Sequence, residues 1–162
     1  MNTAAVITIS DKGHVGLRED KSGPLLQEML AEMGFAVPIY HILPDEQEQI
    51  ADMLRELADG GAVDLIVTTG GTGPAPRDVT PEATRAVIER EMPGLAELLR
   101  FEGVKRTPLA VLSRGVSGIR KDTLIINLAG SPKAVREGIE ILTPVLPHAL
   151  QMLKGQNLEH KH

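Results

Sequence analysis

The hydrophobic positions of this chain alternate between two spacings. Continuous apolar runs rich in β-branched residues lie at 4–9 and 63–69, which is typical of buried strands. Apolar side chains at 25–33 and 50–57 instead recur every three or four residues, which predicts amphipathic helices. The same alternation continues into the C-terminal third. It predicts an α/β fold: a single-domain, three-layer sandwich in which a mostly parallel sheet carries helices on both faces.

Local signals refine the expected elements. Pro38 interrupts another apolar run, which favours an edge strand because proline cannot donate a hydrogen bond to a sheet ladder. Asp45 and Thr80 are predicted to cap helices, and the helix after Thr80 is expected to run to about Met92. Ser131, which is followed by proline, is a further predicted cap.

Length and composition limit the classes of protein to consider. The 162 residues suit one domain, predicted at 1–155, with a frayed polar tail at 156–162. The absence of cysteine excludes disulfides and thiolate metal sites. We expect no membrane association, because no apolar run approaches the length of a bilayer span. The net charge of -5 argues against a general binder of nucleic acids or anionic membranes, so neither is expected as a partner.

Polar loops at 10–23, 69–79 and 129–133 each follow a predicted strand. The carboxyl ends of parallel strands meet at one edge of a sheet, and ligands of such folds bind beyond that edge. We therefore expect these loops to lie close together and to form the binding site.

The middle loop, at 69–79, forms the first part of the stretch "TGGTGPAPRDVTPE". Gly70, Gly71 and Gly73 allow positive φ angles and let successive N–H groups approach an anion. The loop lacks the Gly-Lys-Ser/Thr of a P-loop, and it does not match the dinucleotide-binding glycine pattern. An anion-binding nest is one interpretation, and a tight turn that merely connects a strand to a helix is the other.

Acidic residues near these loops have both functional and structural interpretations. Asp78 would repel a bound anion unless a divalent cation lay between them, which indicates a Mg²⁺-nucleotide site. An Asx-turn or an ion pair with Arg77 would explain Asp78 structurally. Asp45 has a structural explanation in a capping box with Glu48. Asp11, directly after the first strand, is placed where it could hold a metal or hydroxyl ligand, and a turn residue is the alternative.

Ser131 and Lys133 place a hydroxyl and an ammonium group at a predicted helix N-terminus, which is a suitable phosphate site. Ser-Pro also begins many helices that bind no ligand. The residues alone therefore indicate a small α/β protein that binds a phosphate-bearing ligand, and they do not specify a reaction.

The assembled motifs resemble the molybdenum-cofactor biosynthesis family that includes MogA and MoaB. The stretch "TTGGTGPAPRDVTPEAT" is similar to the family signature T-G-G-T-G-x-x-x-R-D-x-T-P-E-A. The segments "ISDKG", "LPDEQ", "REMPG" and "LSRGVSGIRKDTLIINLAGSPKAV" resemble family segments in the same order, most closely those of the MogA type.

The resemblance implies transfer of AMP from Mg²⁺-ATP to the terminal phosphate of molybdopterin, with release of pyrophosphate. It also implies a cytoplasmic homotrimer whose product passes to a molybdate-insertion protein. Asp45 and Asp78 match the family's catalytic aspartates, and we expect them to hold Mg²⁺ or to orient the substrates. The substrate-binding residues that the resemblance implies are Ser10, Asp11, Thr69, Gly70, Gly71, Thr72, Gly73, Gly130, Ser131 and Lys133.

Other functions stay open at this point. Some MoaB-like proteins keep the pocket and bind molybdopterin without catalysis, although the presence of both aspartates favours an enzyme. Competence-damage-type proteins, linked to pyridine-nucleotide hydrolysis, share the domain but carry further domains. A scaffold without chemistry is the last alternative. Two positions depart from the family pattern: Pro76 stands where a basic residue is frequent, and Ala129 where proline is common.

Overall fold

The computed structural model describes residues 1–155. Within that range, the strands are β1 (Thr3–Ile9), β2 (Ala36–Leu43), β3 (Leu65–Thr69), β4 (Arg90–Glu91), β5 (Ser117–Arg120) and β6 (Thr123–Leu128). The helices are α1 (Asp11–His14), α2 (Ser22–Glu32), α3 (Gln47–Asp59), α4 (Thr80–Val87), α5 (Pro93–Arg106), α6 (Pro132–Leu142) and α7 (Leu146–Leu153), with a 3₁₀-helix at Pro108–Leu112. The frayed tail predicted at 156–162 lies outside the described residues.

The strands form one sheet in the order β2-β1-β3-β6-β5-β4. β2, β1, β3 and β6 pair in parallel, whereas β5 and β4 continue the sheet in antiparallel pairing. β5 and β6 must be antiparallel because a tight turn joins them, in which Lys121 has a φ angle of 50°. The predicted mostly parallel sheet is confirmed, and Pro38 lies in an edge strand as predicted.

The core lies on both faces of the sheet, because successive side chains of a strand point to opposite faces. Val6 and Val67 are fully buried on one face, against α2, α5, α6 and α7. Ile7 and Ile66 are fully buried on the other face, against α3 and α4. This arrangement confirms the three-layer sandwich. Among residues 1–155, no helix combines the length and the apolar character that crossing a bilayer requires.

Two predicted helix caps are wrong, because each side chain is used elsewhere. α3 begins at Gln47, and the carboxylate of Asp45 instead accepts a hydrogen bond from the N–H of Asp11 at 3.0 Å. Thr80 is itself the first residue of α4, and its hydroxyl donates to the carbonyl of Gly70 at 3.0 Å. Both side chains therefore stabilise loops at the carboxyl edge of the sheet.

The cap predicted at Ser131 is confirmed, since its hydroxyl oxygen accepts a hydrogen bond from the N–H of Ala134 at 3.0 Å. The helix that begins at Thr80 is expected from the sequence to run to about Met92. This prediction is wrong, because that helix, α4, ends at Val87. The short strand β4 follows and pairs with β5, and Pro93 then begins α5. α4 therefore ends earlier than its sequence predicts, because the residues after it pair with β5 in the sheet.

Candidate functional site

The loop after β3 approaches its neighbours too closely for side chains. Gly70 and Gly71 have φ angles of 103° and 68°, in the left-handed region that favours glycine. A Cβ on Gly70 would collide with the carbonyl oxygen of Ile9, and one on Gly71 would collide with the hydroxyl of Thr80. The N–H of Gly70 donates to the carbonyl of Leu128 at 3.0 Å. The loop is therefore wedged between the ends of β1 and β6.

Threonine side chains fix this loop without introducing charge. Thr80 donates through its hydroxyl to the carbonyl of Gly70, and through its N–H to the carbonyl of Gly71 at 3.1 Å. The hydroxyl of Thr69 donates to the carbonyl of Ala129 at 2.8 Å. Both threonines are buried, so water does not compete for these bonds. The loop after β3 is thereby coupled to α4 and to the loop after β6.

Arg114 holds the far side of the same loop. Its guanidinium donates to both carboxylate oxygens of Glu82, at 2.8 and 3.2 Å, which holds the pKa of Glu82 below its ordinary value. It also donates to the carbonyls of Gly73 at 2.9 Å and Asp78 at 2.8 Å. The N–H of Arg114 donates to the carbonyl of Thr72 at 2.8 Å. Sequence reasoning missed this residue, because its partners lie far away along the chain.

Asp11 and Asp45 form a reciprocal pair. The N–H of Asp11 donates to Oδ2 of Asp45 at 3.0 Å, and the N–H of Asp45 donates to Oδ1 of Asp11 at 2.9 Å. Arg77 donates to both carboxylate oxygens of Asp11, at 2.7 and 3.0 Å. These hydrogen bonds from Arg77 hold the pKa of Asp11 below its ordinary value, whereas burial raises the pKa of Asp45. The two carboxylates therefore differ in environment although they are neighbours.

Asp78 forms a local turn within the loop. Its Oδ2 accepts a hydrogen bond from the N–H of Ala75 at 3.1 Å, and its own N–H donates to the carbonyl of Ala75 at 3.0 Å. Arg77, considered above as an ion-pair partner of Asp78, pairs instead with Asp11 and Glu46. The side chain thus bonds the backbone three residues before it, which is neither the Asx-turn nor the ion pair with Arg77 considered above, and Asp78 lies on the wall of the cavity described below.

The segment after β1, expected to be a loop, contains α1 and the start of α2. The carboxylate of Asp20 accepts hydrogen bonds from the N–H groups of Ser22 at 3.1 Å and Gly23 at 3.0 Å, and from the hydroxyl of Tyr40. Burial and the nearby Asp20 raise the pKa of Tyr40, which keeps its phenol protonated as a donor. The hydroxyl of Ser22 donates to the carbonyl of Gly130 at 2.7 Å, which joins this segment to the loop after β6.

These loops surround an open cavity of about 800 Å³ at the carboxyl edge of the sheet. Its size falls within the range of small-molecule sites, roughly 300–1,000 Å³. The predicted site residues that line it are Ser10, Asp45, Thr69, Gly70, Gly71, Asp78, Gly130 and Ser131. The structure adds Arg18, Glu19, Asp20, Lys21 and Ser22, which sequence reasoning missed because no motif showed which part of this segment faces a ligand.

Other predicted site residues lie outside the wall of this cavity. Asp11 pairs with Arg77, and Thr72 is a buried residue of the loop after β3. Gly73 lies behind Asp78, where a Cβ would come within 2.9 Å of Oδ2 of that aspartate. Nζ of Lys133 lies 4.0 Å from Oε1 of Glu137. Lys133 lines a separate, smaller cavity of about 310 Å³ between α5 and α6. These residues thus support or adjoin the site.

The larger cavity presents both signs of charge to a ligand. Arg18 and Lys21 contribute positive charge, and the carboxylates are those of Glu19, Asp20, Asp45 and Asp78. Within residues 1–155, no group of three or more His, Asp or Glu side chains could hold a metal ion by itself. A divalent cation here would need oxygen atoms from the ligand as well, which is the usual situation for Mg²⁺ with phosphates.

Comparison with protein families identifies the domain. The family profile described as "Probable molybdopterin binding domain" matches residues 5–148, nearly the whole described chain. This chain belongs to the MoCF_biosynth family. The family resemblance of the loop at 69–79 and of the other quoted segments is thereby confirmed.

Relatives within this family cover almost the full chain. The molybdopterin adenylyltransferase of Helicobacter pylori (strain J99) is 43% identical over an alignment of 157 positions, which covers 95% of this chain and 89% of that protein. The molybdopterin adenylyltransferase of Escherichia coli (strain K12) is 40% identical over an alignment of 176 positions, which covers 98% of this chain and 90% of that protein. The crystal structure of the molybdopterin biosynthesis enzyme MoaB from Thermus thermophilus is 52% identical, with a TM-score of 0.90, and covers 96% of this chain and 98% of that one.

We expect Gly71→Ala to lower the free energy of unfolding more than Gly16→Ala does. Both glycines have positive φ angles, 68° and 79°, so alanine costs about 1–2 kcal/mol at either position. A Cβ at Gly71 would additionally meet the hydroxyl of Thr80 and lie 3.1 Å from Oδ1 of Asp45, whereas nothing lies within 4 Å at Gly16. This overpacking adds about 1–3 kcal/mol. Urea unfolding followed by circular dichroism measures the difference, and equal losses would contradict the wedged loop.

Proposed function

We propose that this protein is a molybdopterin adenylyltransferase of molybdenum cofactor biosynthesis. It transfers AMP from ATP to the terminal phosphate of molybdopterin and releases pyrophosphate. The observation that carries the proposal is the meeting of Asp45, Asp78 and the glycine loop in one cavity, in a chain 40–43% identical to molybdopterin adenylyltransferases over nearly its whole length.

The proposed reaction joins two phosphate groups. A terminal phosphate oxygen of molybdopterin attacks the α-phosphorus of ATP. The bond from that phosphorus to the oxygen bridging the β-phosphate breaks, and its electron pair leaves with pyrophosphate. Both reactants are anions, so the protein must align them against their mutual repulsion. Positioning and preorganised electrostatic stabilisation supply most of the catalysis in reactions of this kind.

The backbone of the site is suited to hold phosphate oxygens. We assign this role to the N–H group of Gly71 and to the N-terminus of α6 at Ser131, both at the wall of the cavity, whereas the N–H of Gly70 already donates to Leu128. Arg18 and Lys21 in the same cavity are assigned to pair with individual phosphate oxygens, since the neighbouring Glu19 and Asp20 balance the overall charge of this segment. Ser10 and Thr69 add hydroxyl groups to the wall, and they are assigned to orient the substrates.

The donor set fits Mg²⁺ that arrives with ATP. Asp45 and Asp78 bring carboxylate oxygens to one cavity, and Mg²⁺ in nucleotide sites binds one or two carboxylates plus phosphate oxygens. Mg²⁺ bound there would neutralise part of the charge on the reacting phosphates. Asp45 and Asp78 themselves are assigned to anchor the nucleotide at a defined distance from the molybdopterin phosphate.

We further propose that the protein acts in the cytoplasm as a homotrimer and passes its product to a molybdate-insertion protein. An exposed apolar patch on α5 and the 3₁₀-helix supports self-association. Its side chains, with their exposed fractions, are Phe101 (66%), Leu109 (71%), Val111 (62%) and Leu112 (51%).

Binding of molybdopterin without catalysis is the second candidate. It is favoured by the description of the family profile, which names binding of molybdopterin and no reaction. Both functions would use the same cavity, so only detection of the product separates them.

The deciding experiment incubates the protein with molybdopterin and Mg²⁺-ATP under anaerobic conditions. Mass spectrometry should detect adenylylated molybdopterin and an equal amount of pyrophosphate. Binding of molybdopterin without product would refute the adenylyltransferase and support the binding-only function.

Asp78→Asn is expected to lower the rate of AMP transfer by about 10²-fold or more, because the loss of a charged group in the site weakens stabilisation of the transition state. The melting temperature should stay near that of the unsubstituted protein, since the amide oxygen of Asn can still accept the hydrogen bond from Ala75. Asp52→Asn is the matched control, because Asp52 is an exposed carboxylate that pairs with Arg55 on α3. Turnover of Asp78→Asn near that of Asp52→Asn would contradict the assignment.

Sedimentation velocity is expected to show a species with three times the mass of one chain. Leu109→Asp should dissociate it, because burial of an unpaired charge at an interface is unfavourable. Val15→Asp is the control, since Val15 is similarly exposed (65%) but lies on the segment after α1. A monomer at all concentrations would refute the trimer, and a trimer that survives Leu109→Asp would exclude this patch as its interface.

A further inference from the structure

Arg77 joins the loops that follow β1, β2 and β3. Its Nε donates to Oδ2 of Asp11 at 2.7 Å, and its Nη2 donates to Oδ1 of the same carboxylate at 3.0 Å. Nη2 also donates to the backbone carbonyl of Asp45 at 3.2 Å and to Oε1 of Glu46 at 2.9 Å. A single side chain thus fixes both the carboxylate that faces Asp45 and the backbone that carries Asp45.

We infer that Arg77 is a positioning residue that presents the Asp45 carboxylate to the cavity. It acts through Asp11 and through the backbone at Asp45 and Glu46. The effect on AMP transfer rests on the proposed function, whereas the effect on the position of Asp45 does not.

The hydrogen bonds around Asp11 show how this positioning works. Oδ1 of Asp11 accepts from Arg77 and also from the N–H of Asp45, and the N–H of Asp11 donates back to Oδ2 of Asp45. Oδ2 of Asp45 is therefore held at the Asp11 backbone. Oδ1 of Asp45 lies on the side of Gly71, at the cavity.

Removal of the guanidinium would disturb this arrangement electrostatically. The Asp11 carboxylate would lose its countercharge and would face the Asp45 carboxylate as a like charge. The backbone at Asp45 and Glu46 would also lose the donor that ties it to the loop after β3. Both changes favour movement of Asp45 away from its present position.

Arg77 also sets Asp45 relative to Asp78. Asp78 directly follows Arg77 in the chain, and the carbonyl of Asp78 accepts a hydrogen bond from Arg114 at 2.8 Å. Arg114 therefore holds the backbone at Gly73 and Asp78, whereas Arg77 ties the same loop to Asp11 and Asp45. Release of the bonds on the Arg77 side would change the separation of the two carboxylates.

The exposure of this network argues against a role that is mainly in stability. The side chains of Arg77, Asp11 and Glu46 are 59%, 40% and 51% exposed, and ion pairs in contact with water stabilise a fold only slightly. The bidentate fork to Asp11 instead supplies defined geometry, which is the property that distinguishes arginine from lysine.

Arg77→Met is expected to lower kcat for AMP transfer about 10²-fold, as a displacement of about 1 Å in a site can do. KM for molybdopterin should be nearly unchanged, and the melting temperature should fall by less than about 2–4 °C. Arg55→Met is the matched control, because Arg55 forms an exposed ion pair with Asp52 on α3, 3.1 Å long. Arg77→Lys should give an intermediate kcat, because an ammonium group can pair with Asp11 but cannot reproduce the fork.

A double-substitution cycle with Asp11→Asn separates positioning from direct contact with substrate. If Arg77 acts through Asp11, the combined variant should be much less impaired than the product of the two single effects. Independent effects, or a kcat of Arg77→Met equal to that of Arg55→Met, would overturn the inference. A large fall in melting temperature together with lost molybdopterin binding would also overturn it, because the role would then be structural.

A crystal structure of Arg77→Met makes the test independent of the reaction. Displacement of the Asp45 carboxylate relative to Asp78 supports the inference even if the unsubstituted protein only binds molybdopterin, a result that would refute the proposed function alone. An Asp45 carboxylate in its original position would overturn the inference whatever the protein catalyses.

Discussion

The arrangement of the whole site depends on the close packing of the loop after β3 between the ends of β1 and β6. Adjacent parallel strands end at the same edge, so the backbone of the central strand must turn in a narrow space. Only residues without a Cβ fit where Gly70 meets the Ile9 carbonyl and Gly71 meets Thr80. The buried hydroxyls of Thr69 and Thr80 then donate to backbone carbonyls and hold this loop in place. These bonds fix the backbone without a charged side chain.

Arginine side chains hold the carboxylates and the backbone around this packed loop. Arg114 holds the loop through the carbonyls of Gly73 and Asp78, and Arg77 neutralises Asp11. Asp45 and Asp78 are two of the four carboxylates that line the cavity, together with Glu19 and Asp20. Such a mixture of positive, negative and N–H groups would be unfavourable for a simple anion, but it suits polyphosphate accompanied by a divalent cation.

Family membership and site geometry contribute different parts of the functional conclusion. The α/β sandwich alone would be compatible with many activities. The cavity brings carboxylates, basic side chains and the loop after β3 together at one edge of the sheet, and the relatives named as adenylyltransferases indicate the reaction. Because the relatives align over nearly the full chain, the reaction is assigned to the domain that contains this cavity.

The sequence by itself determined the layers of the fold, the edge position of Pro38, the Ser131 cap and most of the glycine loop. These features follow from hydrophobic periodicity and from backbone preferences of proline and glycine, which are local properties. Only the tertiary structure decided that Asp45 and Thr80 bond to distant loops instead of capping helices. A short polar side chain can bond its own helix or any other backbone within about 3 Å, so its partner depends on packing that no local pattern contains.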